Sequence, residues 1–505
     1  MGNPLYDRLF GRHAGKTTPF LHLPDGHTLT HAEFLDMASR IANALTGLEL
    51  DPGDRVAVQV EKSPEALALY AACAQTGLIF LPLNTAYTTS ELSYFIENSE
   101  ASLVVCDQAD EDRLTPIAQA QNARLKTLNA DGSGSLMRRA LGMLPELEPV
   151  NRSEDDLAAF LYTSGTTGRS KGAMLTQANL LSNAETLVRE WRFTQDDVLL
   201  HALPIFHTHG LFVATNVILA SGGSMIFLPK FDLDDILRLM PKATSMMGVP
   251  TFYTRLLDDD RFTGDLARHM RLFISGSAPL LAETHERFEG RTGHRMLERY
   301  GMTETNMNTS NPYDGERRAG TVGLPLPDVE LKVTDPDTGK TLPQGEIGII
   351  EVRGPNVFDG YWQMPEKTAA ELREDGFFIT GDLGRVDADD YVHIVGRGKD
   401  LIISGGYNIY PKEVELVLDD QPGVLESAVI GVPHPDFGET VLGILVAEPG
   451  HSPDPEVILA NIQSELARFK HPRKLIMLDE LPRNTMGKVQ KNVLRDSYKA
   501  LFTKG

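Results

Sequence analysis

Between residues 31 and 275, amphipathic segments and short apolar runs take turns, and this alternation constrains the fold more than any other property of the chain. Residues 31–45 read as an amphipathic helix, 55–60 as a strand, 63–76 as a helix and 79–83 as a strand, and 90–98 with 102–106 repeat the pair. Further apolar runs follow at 157–161, 198–202, 224–228, 245–249 and 272–275, each closed by Gly, Pro or Ser. Such alternation predicts an α/β fold with mostly parallel, helix-flanked sheets. Ligands of such sheets bind beyond the carboxyl ends of the strands, where Thr163, His207, Pro250 and Ser277 fall. After about residue 318 the texture changes to short, glycine-punctuated runs at 330–333, 348–353, 376–380 and 391–395, which read as short antiparallel strands. The last hundred or so residues mix helix and strand, and a domain boundary is expected near Lys399.

Composition narrows the function classes. The chain has 505 residues, 41% of them apolar, which is enough for several cores. A net charge of −22 repels nucleic acid and anionic membranes, so neither is expected as a partner. Anionic substrates then need locally basic pockets. Two cysteines, Cys73 and Cys106, imply no disulfide framework. With no apolar signal region and no membrane-length apolar stretch, a cytoplasmic enzyme is the expectation.

The run Tyr162-Thr163-Ser164-Gly165-Thr166-Thr167-Gly168-Arg169-Ser170-Lys171-Gly172 suits a polyphosphate. Glycines let backbone N–H groups approach closely, hydroxyls donate to phosphate oxygens, and Lys171 adds a point charge. It lacks the Gly-x4-Gly-Lys-Ser/Thr spacing of a Walker A loop. A flexible Gly/Ser/Thr linker is the plain alternative. The apolar run before it and the helical pattern of 178–191 after it favour a strand–loop–helix phosphate site.

Other segments carry chemistry less specifically. Tyr300-Gly301-Met302-Thr303-Glu304 places a hydroxyl beside a carboxylate: Glu304 suits Mg2+ on a nucleotide and Thr303 the α-phosphate, while a turn with a helix cap reads as well. Asp382, in Thr380-Gly381-Asp382 after a predicted strand, suits ribose hydroxyls or a surface turn. Arg397 suits the same ribose or is a solvated charge. Lys488, in a loop near the end, is a solvated cation unless a small domain brings it to a site elsewhere, where it would offset charge developing at phosphorus.

Taken together and in this order, the segments resemble the adenylate-forming superfamily of acyl-CoA synthetases, luciferases and peptide-synthetase adenylation domains, over nearly the whole chain. Within it the chain looks most like bacterial malonyl-CoA and methylmalonyl-CoA synthetases, above all along 298–310. The resemblance implies a large N-terminal domain, 1–398, with a small β-barrel-like region from about 318, and a small mobile α+β domain, 399–505. It implies two half-reactions: a carboxylate and MgATP give an acyl-adenylate and pyrophosphate, then CoA takes the acyl group. ATP and CoA are the implied co-substrates and Mg2+ the cofactor. By position, Thr163, Ser164, Gly165, Thr166, Thr167, Gly168 and Lys171 match the β/γ-phosphate contacts, with Thr166 and Glu304 at the metal. Ser277, Ala278, Pro279, Arg299, Tyr300, Gly301 and Met302 match the nucleotide pocket, Thr303 the phosphate contact, and Asp382 and Arg397 the ribose contacts. Lys399 matches the hinge, Lys488 the lysine that bridges carboxylate and α-phosphate, and Ser404, Gly405 and Gly406 the pantetheine tunnel. A lysine acetyltransferase acting on Lys488 is an implied partner; it would remove the charge on which the first step depends.

For the acid, a second carboxylate entering a buried site needs pairing, and arginine's planar fork matches it. Arg299 and Arg255 match the arginines that bind the distal carboxylate in the malonyl-CoA synthetase group, with Ser277 as an added donor and His207 beside the reacting carboxylate. An exposed helix charge is the alternative for Arg255, and a metal site of His207 and His209 is weak without a third ligand. The rival acceptor to CoA is a carrier-protein thiol, and one methyl group is too small a difference to separate malonate from methylmalonate by sequence.

Overall fold

The computed structural model describes residues 2–163, 170–404, 407–435, 437–466, 468–484 and 487–502. The phosphate-loop residues Ser164, Gly165, Thr166, Thr167 and Gly168, and Gly405 and Gly406 of the expected tunnel, lie outside the described residues. By its internal contacts the chain forms two compact units, one of residues Met1–Glu330 with Val352–Phe378, the other of Leu331–Glu351 with Ile379–Gly505.

The first unit holds two sheets. In the six-stranded one the order is Arg124–Thr127, Leu103–Cys106, Arg55–Gln59, Ile79–Pro82, Leu157–Thr163 and Lys171–Thr176. All neighbours are parallel except the last pair, an antiparallel hairpin. This corrects the strand–loop–helix expectation: the chain leaves the glycine loop as a strand, and the helix Gln177–Glu190 starts only after it. The run Lys171-Gly172-Ala173-Met174-Leu175-Thr176 alternates too weakly to stand out in sequence. Pairing with Leu157–Thr163 makes it a strand, and Thr176 then caps the helix by accepting from the Asn179 backbone.

The nine-stranded sheet runs from Leu324–Pro325 through Asn306–Ser310, Leu297–Met302, Leu272–Ser275, Ser245–Gly248, Val198–His201, Ser224–Phe227 and Pro19–His22 to Thr28–Thr30. Its pairs from Leu297–Met302 to Pro19–His22 are parallel. The chain goes from Val198–His201 to a neighbour on one side, Ser224–Phe227, and then to the neighbour on the other, Ser245–Gly248. Strand order reverses there, the topology at which ligands of such sheets bind. These strands are buried on both faces, as central parallel strands are.

The second unit contains the strands Phe378–Val386 and Val392–Arg397, paired antiparallel within a four-stranded sheet that also includes Glu330–Thr334 and Gly348–Arg353. Thr380, Gly381 and Asp382 therefore lie inside a strand rather than after one, and Arg397 is a strand residue facing Asp382 across the pair. A five-stranded sheet follows, built on the long hairpin Val424–His434 and Gly438–Ala447. Alternate residues of that hairpin feed two cores. Val429, Val441 and Leu445 pack with Val414 and Leu418, whereas Ile430, Leu442 and Ile444 pack with Leu481 and Leu494. Among the described residues no helix is long and apolar enough to cross a membrane.

Candidate active site

Two constellations lie in the first unit. The first surrounds Glu304. The strand Leu297–Met302 ends in a turn that carries Thr303 and Glu304 before Asn306–Ser310 runs back. Glu304 is buried, 4% exposed, and its backbone carbonyl accepts from Phe358 N–H at 2.8 Å. Its Oε1 accepts from the Tyr361 hydroxyl at 3.0 Å and from Thr163 Oγ at 3.4 Å. Lys171 Nζ donates to the same tyrosine oxygen at 3.0 Å and to Glu371 Oε2 at 3.0 Å. Lys171 thus stands one hydroxyl away from Glu304. Tyr361 and Glu371 were not legible as site residues, because they lie on a segment with no motif of its own. Thr163, Lys171 and Glu304 thus lie within one hydrogen-bonded cluster, and the Glu304 carboxylate is the kind of hard oxygen donor that Mg2+ takes; Thr166, the other residue expected at the metal, lies outside the described residues.

The second constellation draws on the strand Leu297–Met302, the residues after Leu272–Ser275 and the loop after Val198–His201. Arg299 is buried, 3% exposed, and its Nε and Nη2 have no hydrogen-bond partner among the described residues. Burial pushes its guanidinium down to about 9, with Tyr253 and Glu298 opposing, so it stays cationic at neutral pH. Gly276 makes room for it: a Cβ there would lie 2.4 Å from Arg299 Cζ. The next residue, Ser277, holds a left-handed backbone, φ 71°, which in a non-glycine residue marks a strained turn. Its Oγ is 3.1 Å from His209 Nδ1. His209 is fully buried, and its Nε2 also lacks a partner among the described residues. Burial first, then Arg299, His207 and His201, holds this imidazole well below its ordinary pKa, so it is neutral. His209 opens a π-helical turn, His209–Thr215, whose wider ring is a frequent mark of functional sites. His207 is half-buried and its Nδ1 accepts from His209 N–H at 3.3 Å.

Not every expected residue joins this cluster. Arg255 sits on the predicted helix, Pro250–Leu257, but its side chain is exposed and lies over the Phe231 ring, 5.6 Å from the centroid. A helix position four residues past a strand end does not fix which way a long side chain turns. His209, read only as half of a weak metal pair, is the better-placed histidine, and no group of three metal-ligating side chains exists among the described residues.

In the second unit, Arg397 Nε pairs with Asp382 Oδ1 at 2.8 Å, and Asp382 N–H donates to Thr380 Oγ at 3.0 Å. Lys399 lies in the short turn Gly398–Asp400, where burial holds its ammonium below the ordinary value. Asp400 pairs with Arg495 at 2.5 Å. Lys488 keeps an exposed side chain, yet protein crowds it on the other sides. Desolvation first, and then Arg397, push its ammonium down to about 8. Solvent at its tip limits the cost of that desolvation. Ser404 ends the strand Ile402–Ser404.

Known proteins resemble the chain along nearly its whole length. A model of the AMP-binding enzyme family matches residues 10–362, and one of the AMP-binding enzyme C-terminal domain matches 413–488. The crystal structure of ATP-bound MatB from Rhodopseudomonas palustris superposes with a TM-score of 0.98 at 58% identity, covering 99% of this chain and all of that one. A malonate–CoA ligase of Arabidopsis thaliana is 35% identical over 88% of this chain and 78% of its own length. A feruloyl-CoA synthase of an Amycolatopsis species is 36% identical over 94% of both. Relatives at equal identity thus carry different acids in their names, and the acid must be read from the pocket.

Proposed function

Because the chain belongs to the AMP-binding enzyme family, we propose that it is an AMP-forming acid–thiol ligase that joins malonate, and methylmalonate, to CoA. One observation carries the choice of acid. Arg299 is a buried cation whose Nε and Nη2 have no acceptor among the described residues. Leaving such donors unpaired is costly, and an entering anion relieves that cost. A monocarboxylate with an apolar tail would bury Arg299 unmatched. A dicarboxylate reacts at one end and pairs with the guanidinium at the other, with Ser277 and His209 as neighbouring polar groups.

The chemistry proceeds in two displacements. One malonate oxygen attacks the α-phosphorus of ATP, the bond to the bridging oxygen breaks, and pyrophosphate leaves. Lys171 meets the departing phosphates as a cation, and Lys488 offsets charge at the α-phosphate and the attacking carboxylate. Glu304 would hold the Mg2+, which supplies charge neutralisation across the phosphates. Asp382, fixed by Arg397, accepts from the ribose hydroxyls. The CoA sulfur, its proton lost, then attacks the acyl carbonyl, and AMP departs. We assign the second role, thioester formation, to the part of the chain from Lys399 onward, with Lys399 as the hinge and Ser404, Gly405 and Gly406 lining the pantetheine path. Acetylation of Lys488 would silence the first displacement by removing its charge.

The reading is tested by pyrophosphate release with ATP and Mg2+, with and without CoA, against malonate, methylmalonate, succinate, sulfoacetate, acetate, octanoate and coumarate. CoA-dependent turnover led by malonate or methylmalonate is the expected result. Sulfoacetate in the lead would keep Arg299 as the anion partner and change the acid. Acetate or octanoate in the lead would overturn the pocket assignment.

A further inference from the structure

We propose that Tyr361 and Glu371 are positioning residues of the nucleotide site, holding the Lys171 ammonium and the Glu304 carboxylate at a fixed separation through one hydroxyl. This rests on the reading of Lys171 and Glu304 as nucleotide contacts. Lysine is a flexible point charge, and placing it beside a phosphate requires freezing four rotatable bonds. Here Tyr361 and Glu371 supply the freezing contacts. Lys171 Nζ lies 4.1 Å from the Tyr361 ring centroid, and donates to the tyrosine oxygen and to Glu371 Oε2 at 3.0 Å each. The tyrosine oxygen in turn lies 2.7 Å from Glu371 Oε2 and 3.0 Å from Glu304 Oε1. The hydroxyl has one proton for two carboxylates. Lys171 therefore occupies its acceptor side, and the proton is shared between Glu371 and Glu304.

The backbone explains why the tyrosine sits there. Residues 359–362 run beside the strand Lys171–Thr176, with Trp362 N–H donating to Gly172 O at 2.9 Å and Met174 N–H to Gly360 O at 3.0 Å. The ring is edge-on to Phe358, centroids 4.7 Å apart, so its direction is set by packing. Glu371 closes the helix Pro365–Glu371 and is gripped from its own helix by Lys367 at 2.7 Å. Burial alone would raise its carboxyl, but Lys367, Tyr361 and Lys171 hold it low, so it remains an anion. An anion with two cations and a hydroxyl does not swing freely. Together with Tyr361 it holds Lys171 in place.

The test is equilibrium binding of a non-hydrolysable ATP analogue, with and without Mg2+, by titration calorimetry, alongside KM for ATP and for malonate. The variants are Tyr361→Phe, Glu371→Gln, Lys171→Ala and the Lys171→Ala/Tyr361→Phe double. Tyr361→Phe and Glu371→Gln should each weaken analogue binding by about tenfold or more and raise KM for ATP, with KM for malonate nearly unchanged. Without Mg2+, where Glu304 has no cation to hold, the double should bind no more weakly than Lys171→Ala alone. Parental binding by Tyr361→Phe and Glu371→Gln, or full additivity in the double without Mg2+, overturns the proposal. Tighter binding by Glu371→Gln also overturns it, because Glu371 would then compete with phosphate for Lys171. If Lys171→Ala binds like the parent, the reading of the nucleotide site fails and takes the proposal with it. Should Tyr361→Phe fail to fold, Glu371→Gln, half-buried and isosteric, carries the test.

Discussion

In the proposed reading Arg299 selects the acid, and its surroundings allow it to. A guanidinium this deeply buried is sustained by Tyr253 and Glu298 nearby and by the space that Gly276 leaves open. Arg299→Ala should lower kcat/KM for malonate by about a hundredfold or more, the usual scale for deleting one partner of a buried charge pair, with KM for ATP little changed. Gly276→Ala is the sharper probe, because its methyl would collide with the guanidinium 2.4 Å away while leaving every polar group in place. It should reproduce the malonate defect with analogue binding retained, and steady-state kinetics on both substrates would check this. Lys488 makes a pH prediction. Its folded ammonium is depressed to about 8. The first half-reaction, which needs the charge, should therefore decline as pH rises through roughly 8, and Lys488→Arg, whose charge persists across that range, should remove that limb. The stability effect has the opposite sign: between the folded value and the unfolded one near 10.5 the unfolded chain binds more protons, so stability rises with pH there.

Elements carry the site by their ends. The strand Leu297–Met302 carries Arg299, the end of Leu272–Ser275 leads into Gly276 and Ser277, and the loop after Val198–His201 brings His207 and His209. The hairpin of Leu157–Thr163 and Lys171–Thr176 places Thr163 and Lys171 in register opposite each other, at the two mouths of the glycine loop. A helix start at that loop would have offered a dipole; a hairpin offers side chains instead, so Lys171 matters more than helix-dipole electrostatics. Thr176 ends this hairpin and caps the next helix, accepting from Asn179 N–H at 3.1 Å while its own N–H donates to Asn179 Oδ1 at 2.9 Å. Thr176→Ala should cost about 1 kcal/mol of stability, read as a lowered denaturation midpoint, while kinetic constants hold.

On the scale of the whole molecule the two half-reactions can be separated experimentally. Lys488→Ala should block pyrophosphate release from malonate and ATP, yet leave thioester formation from preformed malonyl-adenylate largely intact. Equal loss of both would show that the substitution disrupts folding rather than the first displacement. The net charge of −22 also has a consequence at this scale: anionic substrates reach a protein that repels them on average, so turnover should rise with moderate ionic strength before specific pairs are screened.

Local chemistry written in consecutive residues was legible without coordinates. The alternation of apolar runs sufficed for an α/β chain, because periodicity acts over neighbours in sequence. Burial, direction and partnership were not, because they depend on residues far apart in the chain. Arg299 and Arg255 read alike in sequence, and only packing buries one and turns the other to solvent. Asp382 and Arg397 read as two contacts of one ribose, and the antiparallel register that pairs them with each other at 2.8 Å was not legible. Tyr361 and Glu371 had no signal at all, since what they do is touch Lys171, 190 and 200 residues earlier in the chain.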